Sequence, residues 1–344
     1  MIDGYVYVIL GKALNGLVQS SYLWFQNIKK TFDDMGFIAA IHDPCIFHQV
    51  FDGEYYYIGL YVDDLLHVSP NKDLSQRMAM LLNDRYGDMD HHHDSNLSFL
   101  SLNIRYDISE GILIMDQNSY LRKFVELVSS KIEVKDCQYP SLDPEMFNYP
   151  NEEESEILSS DKCSLYRTYL MTIMYIALRT RPDVLFAIGF LSSWMAKPTM
   201  GAWNSLIKVI GYLRANPTMD ITYRRRGATE DGSNHSELKQ IEIFIDASWC
   251  LDGHARGQSG MVLKIHGNTI FFRTSRQSIV TKTSMESEIV VVDEFLPYAL
   301  WSLSLCEELK MDIVRPIIVH QDNQSGVKIM EKGHGNFKRT NFYQ

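Results

Sequence analysis

No stretch of this sequence approaches the roughly 18 consecutive apolar residues that a membrane-spanning helix needs, and no charged-then-apolar leader opens it. A bilayer or a secretory route is therefore not expected, and a cytoplasmic or nuclear setting is. Cysteine is sparse: Cys45, Cys137, Cys163, Cys250 and Cys306 are scattered with no CxxC spacing. That pattern excludes a paired-cysteine zinc module and a disulfide framework, and suits a reducing compartment. Basic charge is also short, for 33 Lys and Arg face 43 Asp and Glu, giving a net charge of −10. Such a balance counts against a protein that binds mainly by neutralising phosphates. No Gly-rich phosphate loop occurs, and Gly257-Gln258-Ser259-Gly260 reads as a hairpin turn entering a strand. What remains is ordinary globular composition, 45% apolar and 22% charged over 344 residues, enough for two or three domains with real cores.

Against that background Asp63-Asp64 stands out, inside the run YYYIGLYVDDLLHVSP. Aromatic and β-branched residues from Tyr55 to Val62, then Leu65 to Val68 and the stop Ser69-Pro70, predict a hairpin. Two adjacent carboxylates between apolar strands are costly unless a cation meets them, so the pair reads as a metal site; turn chemistry alone is the competing explanation.

The rest of the chain divides by composition. A helical pattern covers Gly11 to Phe32, a connecting strand Cys45 to Val50, and a helix Lys72 to Tyr86 with Met78, Leu81 and Leu82 on one face. Leu97 to Tyr106 and Gly111 to Met115 predict a second hairpin, and Tyr120 to Val128 a helix. Lys135 to Asp161, with Pro140, Pro144 and Pro150, has linker composition. Tyr166 to Leu191 and Ala202 to Leu213 are apolar and helical, broken at Arg181-Pro182 because proline denies the helix a donor. Gly227 to Gln240 is a second, polar linker. Beyond it, strands at Ile241 to Ile245, Gly260 to Ile265, Thr269 to Thr274 and Pro316 to His320 surround a helix over Ser284 to Lys310, a pattern of a mixed sheet with packed helices.

Here a second acid set emerges. Asp246 ends the strand IEIFID and Asp322 lies just past RPIIVHQ, at strand carboxyl ends where α/β sheets gather ligands. Glu286 and Glu288 are about 200° apart on their helix, so one of them faces the sheet. Val291 and Val292 lie on the side of Glu288 and select it. Three such carboxylates suit two divalent cations about 3.5 to 4 Å apart, an arrangement that cleaves phosphodiesters. A turn at Asp322-Asn323 and a dipole-compensating Glu288 are the structural alternatives. His91-His92-His93 could bind zinc or be a solvated loop, and Trp24-Phe25 could stack on bases or belong to a core. Lys208, Arg214 and Arg224-Arg225-Arg226 form a basic stretch that could hold a nucleic-acid backbone or be a solvated face.

KALNGLVQSSYLWF (Lys12 to Phe25), Gly36-Phe37, DPCIF (Asp43 to Phe47) and YVDDLL (Tyr61 to Leu66) resemble the reverse transcriptase of copia-type long-terminal-repeat retrotransposons. YRTYLMTIMYIALRTRPDVLFAIGFLS (Tyr166 to Ser192) and VIGYLRANP (Val209 to Pro217) look like the connection segment of that family. DAS (Asp246 to Ser248), TSMESE (Thr283 to Glu288) and QDNQSGVKI (Gln321 to Ile329) are similar to its ribonuclease H domain. The resemblance implies an α+β fold, with partial reverse transcriptase palm, thumb and connection followed by an α/β ribonuclease H-like domain. It divides the chain into partial reverse transcriptase 1–134, linker 135–161, helical thumb and connection 162–227, linker 228–240 and ribonuclease H-like domain 241–344. It makes Asp63 and Asp64 ligands of catalytic Mg2+, sets Gln19 near template and nucleotide, and makes Asp246, Glu288 and Asp322 three of four ribonuclease H carboxylates. The implied partner is an RNA/DNA hybrid or template-primer.

The departures from the family shape the functional expectation. A third palm aspartate belongs some tens of residues before the KALNGL region, where this chain has not yet begun, so the fingers are absent too. Gln344 stands where the fourth ribonuclease H aspartate is expected, Ser101 where a glycine lets backbone approach the primer, and Pro297 introduces a kink in the Glu288 helix. The expectation is a retrotransposon fragment truncated at both ends, with polymerase activity lost. A residual ribonuclease H and a non-catalytic remnant binding nucleic acid or protein are the alternatives.

Overall fold

The computed structural model describes residues 14, 16–142, 157–225, 239–249 and 256–332. Arg226, Gln344 and most of both linkers lie outside these. The chain divides into two units, Met1–His93 with Ser304–Met311, and Asp94–Leu303 with Asp312–Gln344.

In the first unit helix α1 (Ser20–Asp34) precedes a sheet of β1 (Ile38–Ala39), β2 (Ile46–Phe51), β3 (Glu54–Tyr61) and β4 (Asp64–Val68), in that spatial order, followed by helix α2 (Lys72–Tyr86). Alternation along β3 buries Tyr56, Ile58 and Leu60 against Phe32, Phe47, Met78 and Leu82, one continuous apolar cluster. Helix α1 begins later than the sequence pattern implied, because Gly16 takes φ +91° and residues 16–19 are turn and loop. Helix α2 keeps its predicted limits, with Asn71 Oδ1 accepting from the Asp73 N–H at 2.9 Å as its cap. Its inward face is Met78, Ala79 and Leu82, whereas Leu81 is 48% exposed. Leu81 and Leu82 are about 100° apart, so both cannot share the centre of one face.

The second unit carries an antiparallel sheet, β5 (Asn96–Phe99), β6 (Leu102–Asp107), β7 (Ile112–Asp116) and β8 (Ile221–Arg224), around helices α3 (Asn118–Ser129), α4 (Ser160–Ala177), α5 (Leu185–Ser192) and α6 (Met200–Ala215). Their core centres on Leu170, Ile173, Ile176, Ile188, Leu206 and Ile210. A short 3₁₀ turn at Pro182–Val184 breaks the helical run where proline required it. Within the segment read as linker, Asp136 Oδ1 accepts from Arg214 Nε at 2.7 Å, and a Cβ added to Gly211 would meet the Lys135 carbonyl at 2.0 Å. Arg224, read as part of a basic stretch, lies in β8, paired with Ile112 of β7.

The segment Leu97 to Tyr106 is itself a hairpin, folded at Leu100-Ser101 with φ of +52° and +62°, and its second strand also pairs with β7. Two positive-φ residues between paired strands have the form of a type I′ turn, which usually carries Asn or Gly. Tyr175 donates its hydroxyl to the Leu100 carbonyl at 2.6 Å and holds the turn. Ser101→Gly is expected to stabilise the protein by about 0.5–1 kcal/mol, since relief of left-handed strain exceeds the added chain entropy. A melting temperature equal to or below that of the parent would contradict this.

A last sheet in the same unit has the order β11-β10-β9-β12, formed by β9 (Ile241–Ser248), β10 (Gln258–Ile265), β11 (Asn268–Arg276) and β12 (Ile318–His320). β9 pairs antiparallel with β10 and parallel with β12. Gln258, Ser259 and Gly260 are already strand, not turn, and pair with Ser248, Ala247 and Asp246. Helix α7 (Ser284–Glu308) runs through Pro297 without ending. By length and composition it could cross a membrane; it buries Val291, Phe295, Ala299 and Leu303. Helix α8 (Gln324–Lys332) follows β12.

Candidate functional site

Because β9 and β12 are parallel neighbours, their carboxyl ends lie together. His320 pairs with Phe244, with rings stacked at 4.1 Å, and two residues further along each strand come Asp322 and Asp246. Strand β9 continues to Ser248, so Asp246 is within the strand rather than at its end. Helix α7 supplies the third acid. Thr283 Oγ1 accepts from the Glu286 N–H at 3.2 Å while the Glu286 carboxylate accepts from the Lys282 N–H at 2.7 Å, so Glu286 is occupied in capping. Two residues on, about 200° around the helix, Glu288 faces the sheet, only 6% exposed.

Ligand oxygens of Asp246, Glu288 and Asp322 lie within 4.8 Å of one another, and no other such group of three occurs among the described residues. Burial, then the charges of Asp246 and Asp322, push the Glu288 carboxyl up to about 7. The buried Glu288 Oε2 has no hydrogen-bond partner. An orphaned buried oxygen facing two more carboxylates is a donor set suited to a hard divalent cation. Behind it Gln277 donates to the Ser287 carbonyl at 2.9 Å and accepts from Ser287 Oγ at 2.9 Å, and Gln321 donates to the Glu288 carbonyl at 3.0 Å. These supports fix the start of α7, and the sequence alone offered no sign of them.

In the first unit Asp63 and Asp64 are both exposed at the tip of the β3–β4 hairpin, where Tyr61 pairs with Asp64 across the two-residue turn Val62-Asp63. Among the described residues no third acid, histidine or cysteine joins them in a ligand group. Gln19, also exposed, stands at the N-cap of α1 without a side-chain bond to it. His91 and His93 stack at 6.3 Å in exposed loop and form no ligand group, while Trp24 and Phe25 pack partly on the apolar cluster. Trp24 has a role that sequence reasoning missed, for its indole donates to the Val62 carbonyl at 2.7 Å.

A mixed α+β fold with a paired-acid hairpin near its start is consistent with a nucleotide polymerase domain, and residues 3–142 match the family described as reverse transcriptase (RNA-dependent DNA polymerase). The chain is 24% identical over 315 residues to the retrovirus-related Pol polyprotein from transposon RE2 of Arabidopsis thaliana, covering 91% of this chain and 20% of that protein. It is 22% identical over 336 residues to the Pol polyprotein from transposon TNT 1-94 of Nicotiana tabacum, covering 93% and 23%. To the transposon Ty1-GR2 Gag-Pol polyprotein of Saccharomyces cerevisiae it is 21% identical over 344 residues, covering 97% and 19%. Over most of its length the chain is similar to retrotransposon Pol polyproteins of the copia type, and its first part to their reverse transcriptase. It spans about a fifth of the length of these relatives.

Proposed function

We propose that this chain acts on RNA/DNA hybrids as a ribonuclease H-like, Mg2+-dependent phosphodiesterase, its last sheet being that domain and the preceding elements palm, thumb and connection of a reverse transcriptase. The reading is carried by the convergence of Asp246, Glu288 and Asp322 around the unpartnered Glu288 oxygen. Divalent cations held there would activate a water and stabilise the leaving oxygen. Asp246, within β9, and Asp322, just past β12, are exposed and face incoming substrate; Glu288, buried behind them, anchors the site. The backbone N–H of Ala247 bonds to Glu288 and keeps its carboxylate turned to the sheet.

In the same reading Asp63 and Asp64 are the Mg2+-binding corner of the polymerase, with Gln19 beside template and nucleotide. Because no third ligand joins the pair among the described residues, polymerisation is the weaker activity on this geometry. The decisive measurement is Mg2+-dependent cleavage of an RNA/DNA hybrid. Asp246→Asn is expected to lower the rate about a hundredfold or more, by removing one anionic ligand. Equal rates in parent and variant would remove the proposal, and robust primer extension on an RNA template would reverse the ranking of the two activities.

A further inference from the structure

Val62 occupies φ +52°, a left-handed conformation that β-branched residues rarely adopt. Its carbonyl accepts the Trp24 indole N–H at 2.7 Å, across 38 residues of sequence. Trp24 is in turn fixed from the other side. Its ring meets Tyr86 edge-on, with centroids 5.3 Å apart and planes at 67°. The Tyr86 hydroxyl donates to Asn27 Oδ1 at 2.7 Å and lies 2.5 Å from Thr31 Oγ1. Trp24, Asn27 and Thr31 share one face of α1 at i, i+3 and i+7, so the helix, the end of α2 and the hairpin turn form one connected support.

We infer that Trp24 is a positioning residue for the Asp63-Asp64 turn: its indole N–H holds the Val62 peptide in the strained conformation that presents both carboxylates together. This rests on reading the pair as a cation-binding corner. Among the described residues no other side chain hydrogen-bonds Val62, Asp63 or Asp64, and the left-handed φ that the two-residue hairpin asks of Val62 is costly for a branched side chain.

The test uses the full chain in an Asp246→Asn background, which silences the other acid cluster, and follows Tb3+ luminescence. The hairpin contribution is the part lost in Asp63→Asn/Asp64→Asn. Trp24→Phe keeps the ring against Tyr86 but removes the donor, and is expected to weaken hairpin binding about tenfold or more, as loss of an outer support does. Adding Val62→Gly, which enters the left-handed region freely, is expected to restore most of that affinity. A merely structural tryptophan would not be rescued in this way. Unchanged affinity in Trp24→Phe, or no recovery in the double variant, overturns the inference. Should the parent show no hairpin-dependent luminescence, the cation reading of the pair fails separately. Amide exchange at Asp63 and Asp64 then decides on the indole: faster exchange in Trp24→Phe upholds its hold on the turn, and equal rates overturn it.

Discussion

Replacing Arg181 by alanine is expected to lower the stability of the second unit by about 2–4 kcal/mol, because it removes a buried guanidinium and leaves the half-buried Asp183 carboxylate without its cation. Arg181 is 2% exposed at the break between α4 and α5. Its Nε donates to both Asp183 oxygens at 3.0 and 3.2 Å, Nη2 to Asp183 Oδ2 at 2.7 Å, and Nη1 to the Asn216 carbonyl at 2.7 Å. Tyr212 adds its hydroxyl to Asp183 Oδ2 at 2.9 Å. The guanidinium therefore ties the helix break to the end of α6 through a fork that lysine cannot reproduce, so Arg181→Lys should recover only part of the loss. Against a total stability of roughly 5–15 kcal/mol, the alanine variant would sit near the edge of folding. Urea denaturation supplies the check, and a loss under about 1 kcal/mol would show that the ion pair barely offsets its own desolvation.

What the sequence made legible follows from which forces act locally. Helix α2 and strands β3 and β4 were readable because apolar periodicity and cap residues are properties of neighbours along the chain. The acid trio was readable because strand carboxyl ends and helix phase can be worked out from the one-dimensional pattern. Leu81 was misplaced since a run of two leucines does not say which is nearer the face centre. The hairpin over Ser98 to Tyr106 was legible from the family resemblance and not from local pattern, because neither Leu100 nor Ser101 is a turn former; the turn is imposed by strand pairing and Tyr175. Strand β8 was hidden in the basic stretch around Arg224, its pairing with β7 being more than 100 residues distant and visible only in three dimensions. The Trp24 contact was beyond pattern reading altogether, since its acceptor is a backbone carbonyl and carries no side-chain signature.

Glu288 yields a second large effect, and its sign runs opposite to that of an ordinary paired carboxylate. Its folded-state value near 7 lies above the usual 4.5, chiefly through burial and then through Asp246 and Asp322. The folded protein thus holds the proton more tightly than the unfolded chain. Metal-free stability is fullest below the unfolded value and declines as pH rises through about 7, by something on the order of 2–3 kcal/mol. A divalent cation reverses this balance, because the deprotonated trio is then compensated and the proton is displaced on binding. The melting temperature without metal is therefore expected to fall between pH 5.5 and pH 8, and Mg2+ to raise it more at the upper end. Glu288→Gln should flatten the metal-free profile, raise its value at pH 8, and abolish the Mg2+ response together with hybrid cleavage. An equal Mg2+ shift at both pH values, or a glutamine variant that still responds to the ion, would place the cation elsewhere and leave Glu288 as a buried acid with no ligand to meet.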